Sequence, residues 1–125
     1  MREPISATDL DQLIARTTGA GVSVTVVDSP PVLIAMKTFR PGEVFPNHFH
    51  EHHDEFFAGI TGEVVVWQNR QNRLLLRAGE TALCARGSHH MLVNESTEDA
   101  TVLYVKTPQV PDDTSWVGWA PSGTP

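Results

Sequence analysis

From Val22 onward, short runs of β-branched and aromatic residues alternate with polar turns, and no helical spacing of apolar positions interrupts them. The runs read as strands over residues 22–27, 32–39, 44–50, 55–60, 64–68, 74–77, 81–84, 91–93 and 101–106. Between them stand Pro30-Pro31, Pro41-Gly42, Thr61-Gly62, residues 69–72, Ala78-Gly79 and residues 94–99, all rich in residues that turn the chain. Strands this short, at this spacing, predict an all-β sandwich or barrel. Strand parity then assigns faces: Glu55 and Phe57 share one side and Phe56 the other, while Val64 and Val66 oppose Val65 and Trp67.

The two ends differ from this pattern. Near the N-terminus, Ser6 or Thr8 can cap a short helix, Asp9 and Asp11 suit its first turn, and Leu10, Leu13 and Ile14 form its apolar stripe before Gly19 and Gly21 stop it. The tail, residues 108–125, is rich in Pro, Gly, Ser and Thr yet holds Trp116 and Trp119. Those rings suit packing against the strands or a neighbouring subunit, with lining of a substrate pocket as the alternative. The 125 residues fit one domain spanning 1–125, with a β core at about 22–107.

Composition narrows the partners. The net charge is −6, and Lys37 and Lys106 are the only lysines beside seven dispersed arginines, so no basic stripe exists to follow a nucleic-acid backbone. With no charged-then-apolar leader and no apolar run of membrane-spanning length, the chain reads as a soluble cytoplasmic protein that takes a small-molecule substrate and no membrane. Cys84 is alone in an apolar strand, which suits a buried thiol rather than a nucleophile.

All six histidines fall in two clusters, His48, His50, His52, His53 and then His89, His90, with Glu55 just after the first. On a strand, His48 and His50 point to one face and reach one ion together. A bend over residues 51–54 can bring the Glu55 carboxylate back beside them, and His90 can complete the set from a distant strand. His52, His53 and His89 flank these positions and are expected on the bend or pointing outward, either solvated or behind the ligands.

Written out, the first block is Gly42, five residues, His48, one residue, His50, four residues, Glu55, six residues, Gly62. The second is Gly79, seven residues, Gly87, two residues, His90, three residues, Asn94. These spacings closely resemble the two signature motifs of the cupin superfamily. One departure is Ala85, which stands where that motif usually carries proline and removes no ligand. The resemblance implies a cupin-type double-stranded β-helix, a jelly-roll barrel, holding one divalent metal per chain on His48, His50, Glu55 and His90. Fe(II) is favoured, with Mn, Ni, Co or Zn as alternatives among which resemblance does not select.

A metal held by four protein ligands, with positions left for substrate, implies an enzyme acting on a small or aromatic oxygenated molecule. A dioxygenase or other oxygenase is the leading expectation. The alternatives are a Lewis-acid isomerase, cyclase, dehydratase or lyase, and a non-catalytic ligand-binding module. Met36, Phe45, Phe57, Met91 and Tyr104 are the expected pocket walls, and Tyr104 and His53 the acid–base candidates. A small β core with an apolar tail, together with the resemblance to dimeric cupins, implies a homodimer.

Overall fold

The computed structural model describes residues 12, 14–16 and 23–121. Ten strands account for most of them: β1 (Ser23–Ser29), β2 (Val32–Phe39), β3 (Val44–His50), β4 (Asp54–Thr61), β5 (Glu63–Gln68), β6 (Asn72–Arg77), β7 (Thr81–Cys84), β8 (His90–Val93), β9 (Ala100–Thr107) and β10 (Thr114–Trp116). Three of them, β2, β3 and β7, have the bounds expected from the sequence, six differ from the expected bounds by up to two residues at an end, and β10 has no expected counterpart. Residues 12 and 14–16 are helical. The remainder of the expected N-terminal helix, with its cap, Leu10, Leu13 and the stop at Gly19 and Gly21, lies outside the described residues.

The strands form two five-stranded sheets, β1-β2-β9-β4-β7 and β10-β3-β8-β5-β6, in which every pairing is antiparallel. The sheets face one another as a jelly roll, but they do not close into the expected barrel: among the described residues, no strand of one sheet pairs with a strand of the other. The chain instead crosses between sheets at corners. At one of these Gly59 donates to the Glu80 carbonyl at 2.8 Å, and a Cβ on Gly59 would collide with the Arg77 carbonyl, so only glycine fits.

Alternation along the strands fills the space between the sheets. Phe39, Phe57, Val64, Val66, Leu76, Leu92 and Val102 are buried in one cluster drawn from both sheets. Val65, Trp67 and Met91 form a second cluster on the opposite face of β5 and β8. The expected division of Val64 and Val66 from Val65 and Trp67 is thus present, with both faces covered.

The glycines of the two motifs, Gly42, Gly62, Gly79 and Gly87, all have positive φ, which turns of this kind demand. Asn94 is fully buried and structural. Its Nδ2 donates to the carbonyls of Phe39 (2.9 Å) and Glu98 (2.7 Å), and its Oδ1 accepts from Ser96, closing the loop between β8 and β9. Among the described residues no helix is long and apolar enough to cross a membrane.

The tail holds an element that the sequence pattern did not reveal. Thr114–Trp116 pairs with His50–His48 of β3, so the tail forms the edge of the second sheet directly beside two of the histidines. Three residues are too few for a period of two to show, and the surrounding Pro, Gly and Asp obscure it further.

Candidate metal centre

β3 delivers His48 and His50 to the space between the sheets, but it does so with a shift in register. Phe45 pairs with Leu92 and His48 with His90, so one extra residue is accommodated between Phe45 and His48. This bulge reverses parity, letting Phe45 face the same cavity as His48 and His50, which strict alternation forbids. β8 contributes His90 opposite His48, and β4 contributes Glu55 from the other sheet.

The four side chains meet in the interior. His48, His50 and His90 are 2, 2 and 1% exposed and Glu55 is 5% exposed. One ligand atom from each lies within 4.8 Å of the other three, and this buried cluster could hold a metal ion. The imidazole rings stand 4.2 Å (His48 to His90), 4.9 Å (His48 to His50) and 5.2 Å (His50 to His90) apart.

Each imidazole is oriented by a backbone carbonyl. Nδ1–H of His48 donates to Pro46 O at 2.7 Å, that of His50 to Asp113 O at 3.1 Å, and that of His90 to Ser88 O at 3.2 Å. A carbonyl can only accept, so the proton sits on Nδ1 and the lone pair of Nε2 is free. Glu55 Oε1 lies 2.8 Å from Nε2 of His50 and 3.0 Å from Nε2 of His90. Without positive charge these lone pairs would repel, so the arrangement calls for either added protons or a cation at their focus. A divalent metal fits this donor set.

The local electrostatics agree. Burial, reinforced by the neighbouring His90, pushes His48 down to about 3, so its imidazole is neutral and available as a donor near pH 7. For Glu55, burial acts upward, but where protons rather than a metal fill that focus, hydrogen bonds from His50 and His90, the charge of His90 and then that of Lys106 outweigh it and hold the carboxyl below its usual range. Cys84, opposite Glu55 on β7, is buried and its thiol is pushed up to about 12 by that burial, which makes it inert.

A cavity of about 60 Å³ opens beside the cluster, with Phe39, Phe45, Phe57, Leu92 and Val102 as its apolar wall and Lys37, Tyr104 and Lys106 among its polar groups. Three expected wall residues, Phe45, Phe57 and Tyr104, line it. Met36 and Met91 do not: each alternates with cavity-facing neighbours, Lys37 on β2 and Leu92 on β8, and so points away. Met36 is fully buried, and Met91 packs with Val65 and Trp67. Burial raises the Tyr104 phenol above its ordinary value, against a hydrogen bond with Ser23, so it stays protonated at neutral pH.

The flanking histidines separate. His52 is exposed and His89 half-buried, the latter between the rings of Phe49 and Trp119 at 5.0 and 5.2 Å. His53, expected to be either solvated or behind the ligands, is not solvated, being only 2% exposed. Its ring lies 4.1 Å from that of His50, on the side away from the cavity, and its Nδ1 is 3.1 Å from Asp113 Oδ2. The partner that sequence reasoning missed is Asp113: its carboxylate accepts from the His52 backbone at 2.9 Å and ring at 2.9 Å, while its carbonyl holds His50. No motif marks it, because it acts from a tail far from both clusters in sequence.

Both tryptophans pack against the sheet. Trp116 is 59% exposed and lies 5.6 Å from the Phe45 ring and 5.3 Å from that of His48. Trp119 sits under the Arg70 guanidinium at 4.2 Å, and its carbonyl accepts from Asn47 Nδ2 at 3.0 Å.

A two-sheet jelly roll with a buried cluster of three histidines and one glutamate defines the class, and residues 35–106 match the Cupin domain family. The chain belongs to that family. Among solved structures it is similar to the TT1209 protein from Thermus thermophilus, at 31% identity over 82% of this chain and 96% of that one, with a TM-score of 0.74. An uncharacterized conserved protein with a double-stranded β-helix domain from Klebsiella pneumoniae is 19% identical over 94% of this chain and 100% of that one, with a TM-score of 0.77. An oxalate oxidase in complex with the substrate analogue glycolate is 22% identical over 81% of this chain and 58% of that one, with a TM-score of 0.66. No curated protein matches the chain at a significant level.

Proposed function

We propose that this protein is a metal-dependent enzyme acting on a small oxygenated organic molecule bound in the cavity, with oxygenase chemistry at Fe(II) as its reaction. The observation that carries this reading is the convergence of three imidazole nitrogens and one carboxylate at the edge of a cavity with a mostly apolar wall. His48, His50, Glu55 and His90 would hold the ion, which when bound supplies a Lewis acid and, as iron, a redox centre beside the substrate.

The chain's own groups do the rest. The carbonyls of Pro46, Asp113 and Ser88 fix the three imidazoles in the tautomer that presents Nε2, and Glu55 offsets part of the ion's charge. Phe45, Phe57 and Leu92 limit water around the bound molecule. Tyr104, kept protonated, is placed on the cavity wall as a proton donor. His53 does not reach the cavity and supports the ring of His50 instead. The reading also takes the protein to be a cytoplasmic homodimer, for which the exposed Trp116 and Leu83, each 59% exposed, supply apolar surface to cover; light scattering at micromolar concentration tests it.

The deciding experiment measures metal content after purification without chelators, then O₂ consumption by Fe(II)-loaded protein against enolic, catecholic and small carboxylic compounds. O₂ uptake coupled to product is the expected result. Turnover with Zn(II) in the absence of air would replace the oxygenase by an isomerase, cyclase, dehydratase or lyase. Ligand binding without turnover under either condition would point to a binding module.

A further inference from the structure

The cavity holds two cations, and they are not equivalent. Lys37 Nζ donates to Glu43 Oε2 at 2.7 Å and lies 4.9 Å from the centre of the Phe39 ring, so its charge is already met within the fold. Lys106 pairs across β4 and β9 with Glu55 in register, and both face the cavity. Glu55 nevertheless directs its carboxylate at His50 and His90, and among the described residues no ion pair or hydrogen bond joins Lys106 to any acceptor. Its ammonium lies 5.7 Å from the centre of the Tyr104 ring.

This places an unpaired ammonium on the wall of a largely apolar cavity, one strand from the metal cluster. With a divalent ion on His48, His50, Glu55 and His90, the positive charge around the cavity exceeds what Glu55 and Glu43 can offset. A neutral occupant would leave that excess uncompensated beside a mostly apolar wall, whereas an anion would relieve it. Size adds a second constraint. Since one water takes up roughly 10–15 Å³ of such volume, a cavity of about 60 Å³ admits only a handful of non-hydrogen atoms.

We propose that the ligand of this cavity is a small carboxylate anion, and that Lys106 is the residue that selects it by donating to the carboxylate. The proposal rests on the metal-centre reading above and adds to it the class of substrate. Tyr104, adjacent to Lys106 on the same face of β9, offers its hydroxyl as a second donor to that anion.

The test uses full-length protein loaded with Zn(II), its metal content measured directly, and two probes of nearly equal shape, lactate and its neutral amide lactamide. Binding is measured calorimetrically for the unaltered protein and for Lys106→Met, Lys106→Gln and Lys106→Arg, each checked for cooperative thermal unfolding. The unaltered protein should hold one Zn(II) per chain and prefer lactate to lactamide by roughly tenfold or more, the effect of one charge-assisted hydrogen bond. Lys106→Met should keep the metal and lose the preference, and Lys106→Arg should retain most of it. If Lys106→Met does not fold, the contrast between Lys106→Gln and Lys106→Arg decides in its place. Metal retained with the preference unchanged in the uncharged variants, or no preference in the unaltered protein, overturns the role of Lys106 and leaves the metal centre standing. An unaltered protein that holds no Zn(II) overturns the metal reading and this proposal with it, and the metal measurement tells the two failures apart.

Discussion

Asp113 holds His50 from behind: its carbonyl accepts the Nδ1–H of that imidazole at 3.1 Å, from the far end of a segment 63 residues away in sequence. The same residue ties down the bend that carries the chain from β3 to β4, accepting from the backbone of Glu51 and His52 on its carboxylate. The tail is therefore part of the candidate metal centre, because it sets both the tautomer of His50 and the path of the loop between His50 and Glu55.

Deleting residues 111–125 should consequently weaken metal binding even though no proposed ligand is removed. Loss of a group that orients a ligand typically costs ten- to a hundredfold in affinity. Competition with a chromophoric chelator would measure it. Unchanged affinity would show that β10 and Asp113 only decorate the edge of the sheet.

Removing a ligand itself should be more severe. His50→Ala and His90→Ala should drop metal content well below one per chain, and Glu55→Gln, which keeps shape but not charge, should lower affinity in the same direction. The fold should survive, because the inter-sheet cluster around Phe39, Phe57, Val66 and Leu92 supplies the apolar burial. Elemental analysis beside circular dichroism checks both halves, and a full complement of metal in both histidine variants would remove these residues from the site.

Much of this centre was legible in the chain because it obeys local rules. His48 and His50 share a face through strand alternation, and the positive φ of Gly62 and Gly87 follows from turns that only glycine makes cheaply. What was not legible depends on long-range placement. The bulge after Phe45 has no residue signature of its own, Asp113 reaches its partners across 60 residues or more, and the burial of His53 follows from that contact rather than from its polar neighbours. Met36 and Met91 were misplaced for a simpler reason: apolar character says that a strand residue is buried, but only parity with Lys37 and Leu92 says on which side.

The flanking histidines should now divide by burial. His52→Ala and His89→Ala should keep the metal, since one ring is exposed and the other lies against Phe49 and Trp119. His53→Ala should keep the ligands yet lower stability and loosen metal affinity by roughly tenfold, because it removes the ring packed 4.1 Å from His50. Loss of metal in His89→Ala with retention in His90→Ala would mean that the second motif is read one residue out of place.

The last expectation concerns acid. Burial would raise the Asp113 carboxyl, but hydrogen bonds from the ring and backbone of His52, the nearby His53 and the Glu51 backbone together lower it from 3.8 to about 2. A carboxyl that is more acidic in the folded state than in the unfolded chain stabilises the fold fully above its unfolded value. That contribution fades as pH falls from about 4 toward 2. With a side chain only 5% exposed, the contribution is on the order of 1–2 kcal/mol. Asp113→Asn should therefore be less stable than the unaltered protein by about that amount at pH 6, with the gap closing near pH 2. Urea unfolding of metal-free protein across this range isolates the effect from metal release. A gap that stays constant down to pH 2 would assign the role of Asp113 to its shape and its carbonyl rather than to its charge.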